Sequence, residues 1–161
     1  MKNKNITFMT QAAMIAAIYV VLTYVFAPFS FGEVQIRISE ALTILPIFTP
    51  AAVPGLLVGC LIGNILGGAI LPDIIFGSIA TLLGAALTYK LRGTKPWIAA
   101  LPPVVTNAII VPFVLRFGYG VTLPIPLMMC TVGIGEIVSC EVLGLVLYYA
   151  LRKHSKTVFA V

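Results

Sequence analysis

The chain has 161 residues, 60% of them hydrophobic and 9% charged, with a formal net charge of +5. A soluble domain is about 45–50% apolar and about 25% charged, so this composition excludes a soluble globular fold. Six membrane helices of roughly 20 residues would use about 120 residues, which excludes a separate soluble catalytic, ATP-binding or nucleic-acid-binding domain.

The basic residues cluster. Lys2 and Lys4 open the chain, Lys90, Arg92 and Lys95 lie in its middle, and Arg152, Lys153 and Lys156 close it; only Arg37 and Arg116 fall elsewhere. Three short basic stretches are what the positive-inside rule expects of cytoplasmic segments. Met1–Phe26 has the basic start of a signal peptide, but its apolar run is long and no small-residue cleavage site precedes Pro28, so it is read as a retained span.

In chain order, the first span covers about 6–26 and ends before Pro28. In Phe29–Ser39, Glu33, Gln35 and Arg37 alternate with Val34, Ile36 and Ile38; period two predicts a short strand or extended outer loop. The second span, 40–52, is short and holds Pro46 and Pro50, which remove helix hydrogen bonds. The others are predicted over about 54–71, 73–89, 97–115 and 127–151. The alternative merges the second with the third, 41–71, as a single broken element. Charge parity favours six crossings, because only an even number puts all three basic stretches on one side. The expected fold is a single all-α membrane domain, a six-transmembrane-helix bundle with both termini cytoplasmic and a strand-like outer loop after the first helix.

Small residues form two stripes. Gly55, Gly59, Gly63 and Gly67 recur every four residues in the third span, and Ala12, Ala13, Ala16 and Ala17 form two overlapping AxxxA pairs in the first. Such faces let helix backbones approach closely. The glycine stripe reads as internal packing, and the alanine face as either packing or a docking surface.

Ionisable groups inside spans are costly and mark function or a buried partner. Glu40, Asn64, Asp73 and Asn107 fall in the outer half, and Glu136 lies nearer the middle of the sixth span. Asp73 follows Pro72 and is also placed to cap a helix. Arg37 and Arg116 can be solvated, or Arg37 can pair with Glu33 or Glu40. Glu141, five residues past Glu136, is rotated by about 140° and reads as an interhelical or partner-facing group. Carboxylates with amides suit a planar, nitrogen-rich solute, since a carboxylate accepts from nucleobase N–H groups. Phe29, Phe31, Phe113, Phe117 and Tyr119 flank the same end as candidate stacking groups. Cys60, Cys130 and Cys140 have neither CxxC spacing nor a nearby histidine and read as small buried hydrophobes, with no metal site expected.

The runs VQIRISEALTILPIFTPAAVPGLLVGCLIGNILGG (Val34–Gly68), DIIFGSIATLL (Asp73–Leu83), PPVVTNAIIVP (Pro102–Pro112) and GIGE (Gly133–Glu136) resemble the QueT family. The resemblance implies the substrate-binding membrane subunit of an energy-coupling-factor transporter for queuosine precursors of the 7-deazaguanine type. It implies three partner subunits, a transmembrane coupling subunit and two cytoplasmic ATPases, in the cell membrane, with no cofactor. It implies a docking role for Ala13 and Ala17, or their neighbours Ala12 and Ala16. The chain has no GxxxxGK[ST] loop, so ATP would act on those partners. Glu40, Asn107 and Glu136 are the leading candidates for the solute's polar edge, with Asn64, Asp73 and Arg37 in support and Phe29–Ser39 as a lid. The alternatives are another vitamin-like solute or a stand-alone proton-coupled carrier. An intramembrane enzyme is disfavoured, since no span holds a histidine.

Overall fold

The computed structural model describes residues 4–27 and 36–159. Among these residues the fold is entirely helical: α1 (Lys4–Val25), α2 (Ile38–Ile47), α3 (Ala52–Leu66), α4 (Leu71–Lys90), α5 (Pro96–Phe117), α6 (Ile125–Arg152) and a short α7 (Ser155–Val158). Helices α1, α4, α5 and α6 are long and apolar enough to cross a membrane. Their outer faces carry apolar stripes at four-residue spacing, such as Ile75, Ile79, Leu83 and Leu87 on α4 and Val105, Ile109, Phe113 and Phe117 on α5, all exposed. A wall of this kind suits lipid rather than water.

The contacts give each helix a direction. Thr49, just after α2, reaches Gln11 on α1, whereas Ser39 at the start of α2 meets Thr23; α1 and α2 are antiparallel. Gly55, Gly59 and Gly63 lie against Ala12, Tyr19 and Thr23 in turn, so α3 runs parallel to α1. Gly84 of α4 meets Pro103 of α5, while Asp73 at the start of α4 meets Tyr119 beyond the end of α5. Successive helices thus alternate in direction, and Lys4, the Lys90–Lys95 stretch and Arg152 share one end of the bundle.

Two corrections to the sequence reading concern α2. Its start, Ile38 and Ser39, is helical rather than part of an extended strand; the backbone N–H of Glu40 already bonds the Arg37 carbonyl at 2.9 Å. The rest of the expected lid, through Gln35, lies outside the described residues. And α2 is wound as a 3₁₀-helix over ten residues, a long run for that geometry. Ile38, Thr43, Ile44 and Ile47 are β-branched and Pro46 interrupts the segment, so α-winding has little intrinsic support. At about 2.0 Å per residue it reaches about 20 Å, short of the roughly 30 Å hydrocarbon core. Ser39 to Pro46 are all buried, and α2 packs against α1, α3, α4, α5 and α6. It is the central element of the bundle.

Two further irregularities have identifiable causes. Pro102 and Pro103 lie inside α5 and donate no backbone hydrogen bond, and the Thr106 hydroxyl bonds back to their carbonyls at 3.0 and 3.1 Å, a contact that often bends helices. In α6, Ile137–Leu143 is wound as a π-helix, and the Ser139 hydroxyl bonds back to the Gly135 carbonyl at 2.9 Å.

The glycine stripe is internal. A Cβ on Gly55 would sit 2.7 Å from the Ala12 carbonyl oxygen, and one on Gly59 2.8 Å from the Tyr19 Cβ. Overpacking of this kind costs about 1–3 kcal/mol. Gly59→Val is therefore expected to lower unfolding stability in detergent by that order, while Gly93→Ala, with nothing within 4 Å of an added Cβ, leaves it unchanged. Equal midpoints for the two variants would refute the close α1–α3 packing.

Candidate functional site

Each of the six longer helices contributes buried polar side chains to one interior cluster. Glu40, carried by α2, is fully buried. Its Oε1 accepts from the Tyr19 hydroxyl of α1 and, at 3.4 Å, from the Thr81 hydroxyl of α4. Thr43, one 3₁₀ turn on, donates to the Glu40 carbonyl at 2.6 Å and lies 3.5 Å from the Cys140 sulfur. The Cys140 thiol donates to Glu136 Oε2 at 3.2 Å. Carboxylate oxygens of Glu40 and Glu136 and the Cys140 Sγ lie within 4.8 Å of one another. Asn107 of α5 is buried and its side chain adjoins Glu136.

A second group adjoins the first towards the end of the bundle opposite the basic stretches. Arg37 Nη2 lies 3.7 Å from Asp73 Oδ2, with both side chains buried. Tyr119, in the loop after α5, donates to the same oxygen at 3.0 Å. Partial burial and the Asp73 charge push the Tyr119 phenol above its usual pKa, which keeps it a donor at neutral pH. Asn64 of α3 contacts the Asp73 carbonyl at 3.4 Å and the Cys60 sulfur at 3.5 Å. A Cβ on Gly77 would stand 3.2 Å from both Asn64 Nδ2 and Asp73 Oδ1, so glycine there makes room for the pair.

The structure thus gathers Arg37, Glu40, Asn64, Asp73, Asn107 and Glu136, all buried, into adjoining groups. Asp73 does not act as a side-chain cap: α4 has no side-chain cap hydrogen bond at its N-terminus, and the carboxylate turns to Arg37 and Tyr119 instead. Other expectations change. Phe113 and Phe117 stack on each other with centroids 6.4 Å apart and are exposed; with Pro72 and Phe76 they line an outward apolar groove of about 480 Å³ and do not cover the cluster. Phe29, Phe31 and Glu33 lie outside the described residues. Arg116 is exposed and donates to the Val121 carbonyl at 3.1 Å. Glu141 is only partly buried.

Sequence reasoning missed Tyr19, Thr43 and Thr81, which look like ordinary residues of apolar spans. It also read Cys60, Cys130 and Cys140 as small buried hydrophobes. Cys130 is exposed; Cys60 and Cys140 are fully buried, but their sulfurs face Thr81, Asn64, Thr43 and Glu136. No sequence signal marked Tyr19, since on spans 6–26 and 40–52 Glu40 opens its span while Tyr19 lies about two turns inside its own.

A hydrogen bond to a charged group contributes about 1.5–3 kcal/mol. Tyr19→Phe, which keeps the ring and removes the donor to Glu40, is expected to cost about that much in unfolding free energy, with Tyr24→Phe, on the exposed face of α1, as the neutral control. A Tyr19→Phe midpoint matching the control would show that the bond contributes nothing.

A transporter of a small solute through a bilayer has this form: an apolar outer wall around a convergent polar interior. The model of the QueT transporter family matches residues 9–153, spanning all six longer helices and every residue of the cluster. No curated protein and no solved structure gives a significant match. By this match the chain is a multi-pass membrane protein and belongs to the QueT transporter family.

Proposed function

We propose that the chain is the substrate-binding membrane subunit of an ATP-driven, energy-coupling-factor-type importer, and that it captures a queuosine precursor of the 7-deazaguanine class from outside the cell. The observation that carries this reading is the meeting of Glu40, Glu136 and Asn107 inside an apolar bundle, in a chain of a transporter family. Carboxylate and amide oxygens accept from the N–H groups of a guanine-like edge. Asn64, Asp73 and Arg37 supply further donors and acceptors, and Tyr119 with Arg37 ties the outer loops to α4.

In this reading the chain passes the plasma membrane six times, with α2 and α3 as a short inner pair that the adjoining turns extend, and both termini are cytoplasmic. That orientation puts the shared basic end inside, as the positive-inside rule requires. Energy comes from partners: a transmembrane coupling subunit and two cytoplasmic ATPases. The alanine pairs divide between two roles. Ala16 is buried and Ala12 half-buried against Gly59 and Gly55, whereas Ala13 and Ala17 are exposed on the outer side of α1. The pair Ala13 and Ala17 is the smooth face offered to the coupling subunit.

A second reading, a proton-coupled carrier working alone, draws on the closeness of Glu40 and Glu136. Uptake into liposomes by the purified chain without ATPases would favour it. A different vitamin-like solute would show itself as another small molecule co-purifying with the protein.

The direct test is calorimetry on the purified chain with queuine, its aminomethyl and cyano precursors, and guanine. Tight binding of a deazaguanine and much weaker binding of guanine is expected; no binding by folded protein would refute the solute class. Glu136→Gln is expected to weaken binding roughly ten- to a hundredfold, the equivalent of about 1.5–3 kcal/mol. Ala17→Trp is expected to leave solute binding intact and abolish uptake in cells supplying the partner subunits. Normal uptake in that variant would remove α1 from the docking surface.

A further inference from the structure

We propose that the seam between α1 and α6 is a binding site for an anionic phospholipid of the leaflet at the basic end, with an acyl chain in the seam and the phosphate on Arg152 and Lys153. The site lies apart from the buried carboxylate cluster and does not depend on which solute that cluster takes.

The wall of the bundle is not a closed ring. Helix α1 packs on α3 and α2, and α6 packs on α5 and α2. Between α1 and α6 the central helix α2 forms the floor of a groove of about 300 Å³. Ile18 of α1 is one bank, Leu147 and Leu151 of α6 the other, and Leu42 and Leu45 of α2 lie at the bottom. Val158 and Phe159 stand at the basic end, with Phe159 stacked on Phe48. The floor is set back from the wall: Leu42 and Leu45 are buried, whereas Ile18 is 48% exposed. The narrow 3₁₀ winding of α2 leaves this space, because a thinner helix fills less of the gap between its neighbours.

Size and charge decide the occupant. One turn of an α-helix, about 10 Å across and about 5.4 Å long, fills about 400 Å³, more than the whole groove. A partner's helix therefore does not seat in it, whereas a flexible hydrocarbon chain does, and an empty groove would forfeit the dispersion contacts of its lining. The charge lies at the basic end. Arg152 and Lys153 directly follow Leu151, Lys4 opens α1 at the same end, and all three are exposed. The ion pair among the described residues is that of Arg37 with Asp73, so none of these three is paired within them. No Asp or Glu falls in 1–32, in 74–135 or after 141, and Glu141 lies about three turns back along α6. The positive charge at this end thus has no acidic side chain to answer it. A lipid phosphate does: basic groups beside a gap between membrane helices bind anionic headgroups, and an arginine meets a phosphate through two parallel N–H bonds. Ile18 is turned about 100° round α1 from Ala17, so the lipid and the proposed coupling subunit take different sides of that helix.

The test is native mass spectrometry of the purified full chain, released from detergent micelles that carry equal amounts of a phosphatidylglycerol and a phosphatidylcholine with identical chains. Phosphatidylglycerol is expected to stay bound at least about fivefold more often, the factor that one basic residue at a membrane surface supplies. Replacing both Arg152→Gln and Lys153→Gln is expected to cut the preference below about twofold. Replacing both Lys90→Gln and Arg92→Gln removes the same charge at the end of α4, away from the seam, and is expected to keep it. Ile18→Trp, which fills the groove from a half-exposed position, is expected to lower retention of phosphatidylglycerol itself. Equal retention of the two lipids by the native chain would overturn the proposal. So would an equal loss of preference in the α4 variant, which would assign it to the whole basic end. Unchanged retention in Ile18→Trp would remove the chain from the seam, and displacement of the lipid by inorganic phosphate would reduce the site to an anion site; either result also overturns the proposal.

Discussion

A carboxylate is tolerated inside an apolar bundle only where donors converge on it, and those that reach Glu40 come from different helices. Tyr19 stands on α1 and Thr81 on α4, so the position of the carboxylate depends on how closely those helices approach α2. The glycines of α3 set the first distance. With Gly59 against Tyr19 and Gly55 against Ala12, α3 draws α1 inward until the Tyr19 hydroxyl meets α2. Gly84 does the same for α4 and α5, where an added Cβ would lie 2.8 Å from the Pro103 Cα. Backbone contact, which depends on missing side chains, thus holds the polar interior in place. In lipid this packing has to come from van der Waals fit, since the hydrophobic effect does not drive helices together there.

Two departures from α-helical winding face each other across the site. The 3₁₀-helix α2 and the π-wound part of α6 meet at Thr43 and Cys140, and a Cβ added at Gly144, just past the π segment, would lie 3.6 Å from the Ala41 carbonyl oxygen and 3.7 Å from the Ile44 Cβ. Narrow and wide windings are individually less favourable than the α-helix and concentrate at functional sites. Here the narrow helix fits between five neighbours, and the wide one follows directly on Glu136. Cys140, four residues on, still points its thiol at that carboxylate.

How much of this was legible in the sequence depended on the kind of signal. Apolar runs broken by proline marked where helices were to be expected, because membrane thickness dictates the length of a span. The stripe Gly55, Gly59 and Gly63 revealed a close-packed face, because glycine at four-residue spacing has little other use in a span. Depth alone singled out Glu40, Asn107 and Glu136, since a carboxylate or amide within a span needs a reason. Helix rotation was not legible. Phe113 and Phe117 share the level of the site but face away from it, and the period-two pattern before Ile38 did not reveal that α2 begins there. Nor could spacing show Tyr19 and Thr81 as partners of Glu40, because residues 21 and 41 positions away from it meet only through the tertiary fold.

The turn between α2 and α3 has a consequence for traffic through the bundle. Phe48 lies there, stacked on Tyr148 at 5.2 Å and on Phe159 at 5.6 Å, with Thr49 and Ala51 buried beside it. These rings cork the bundle on its basic side, directly beneath the helix that carries Glu40. On the proposed reading, the rings would have to part, or the bundle to reorient, before a solute held at Glu40 reached the other face of a membrane.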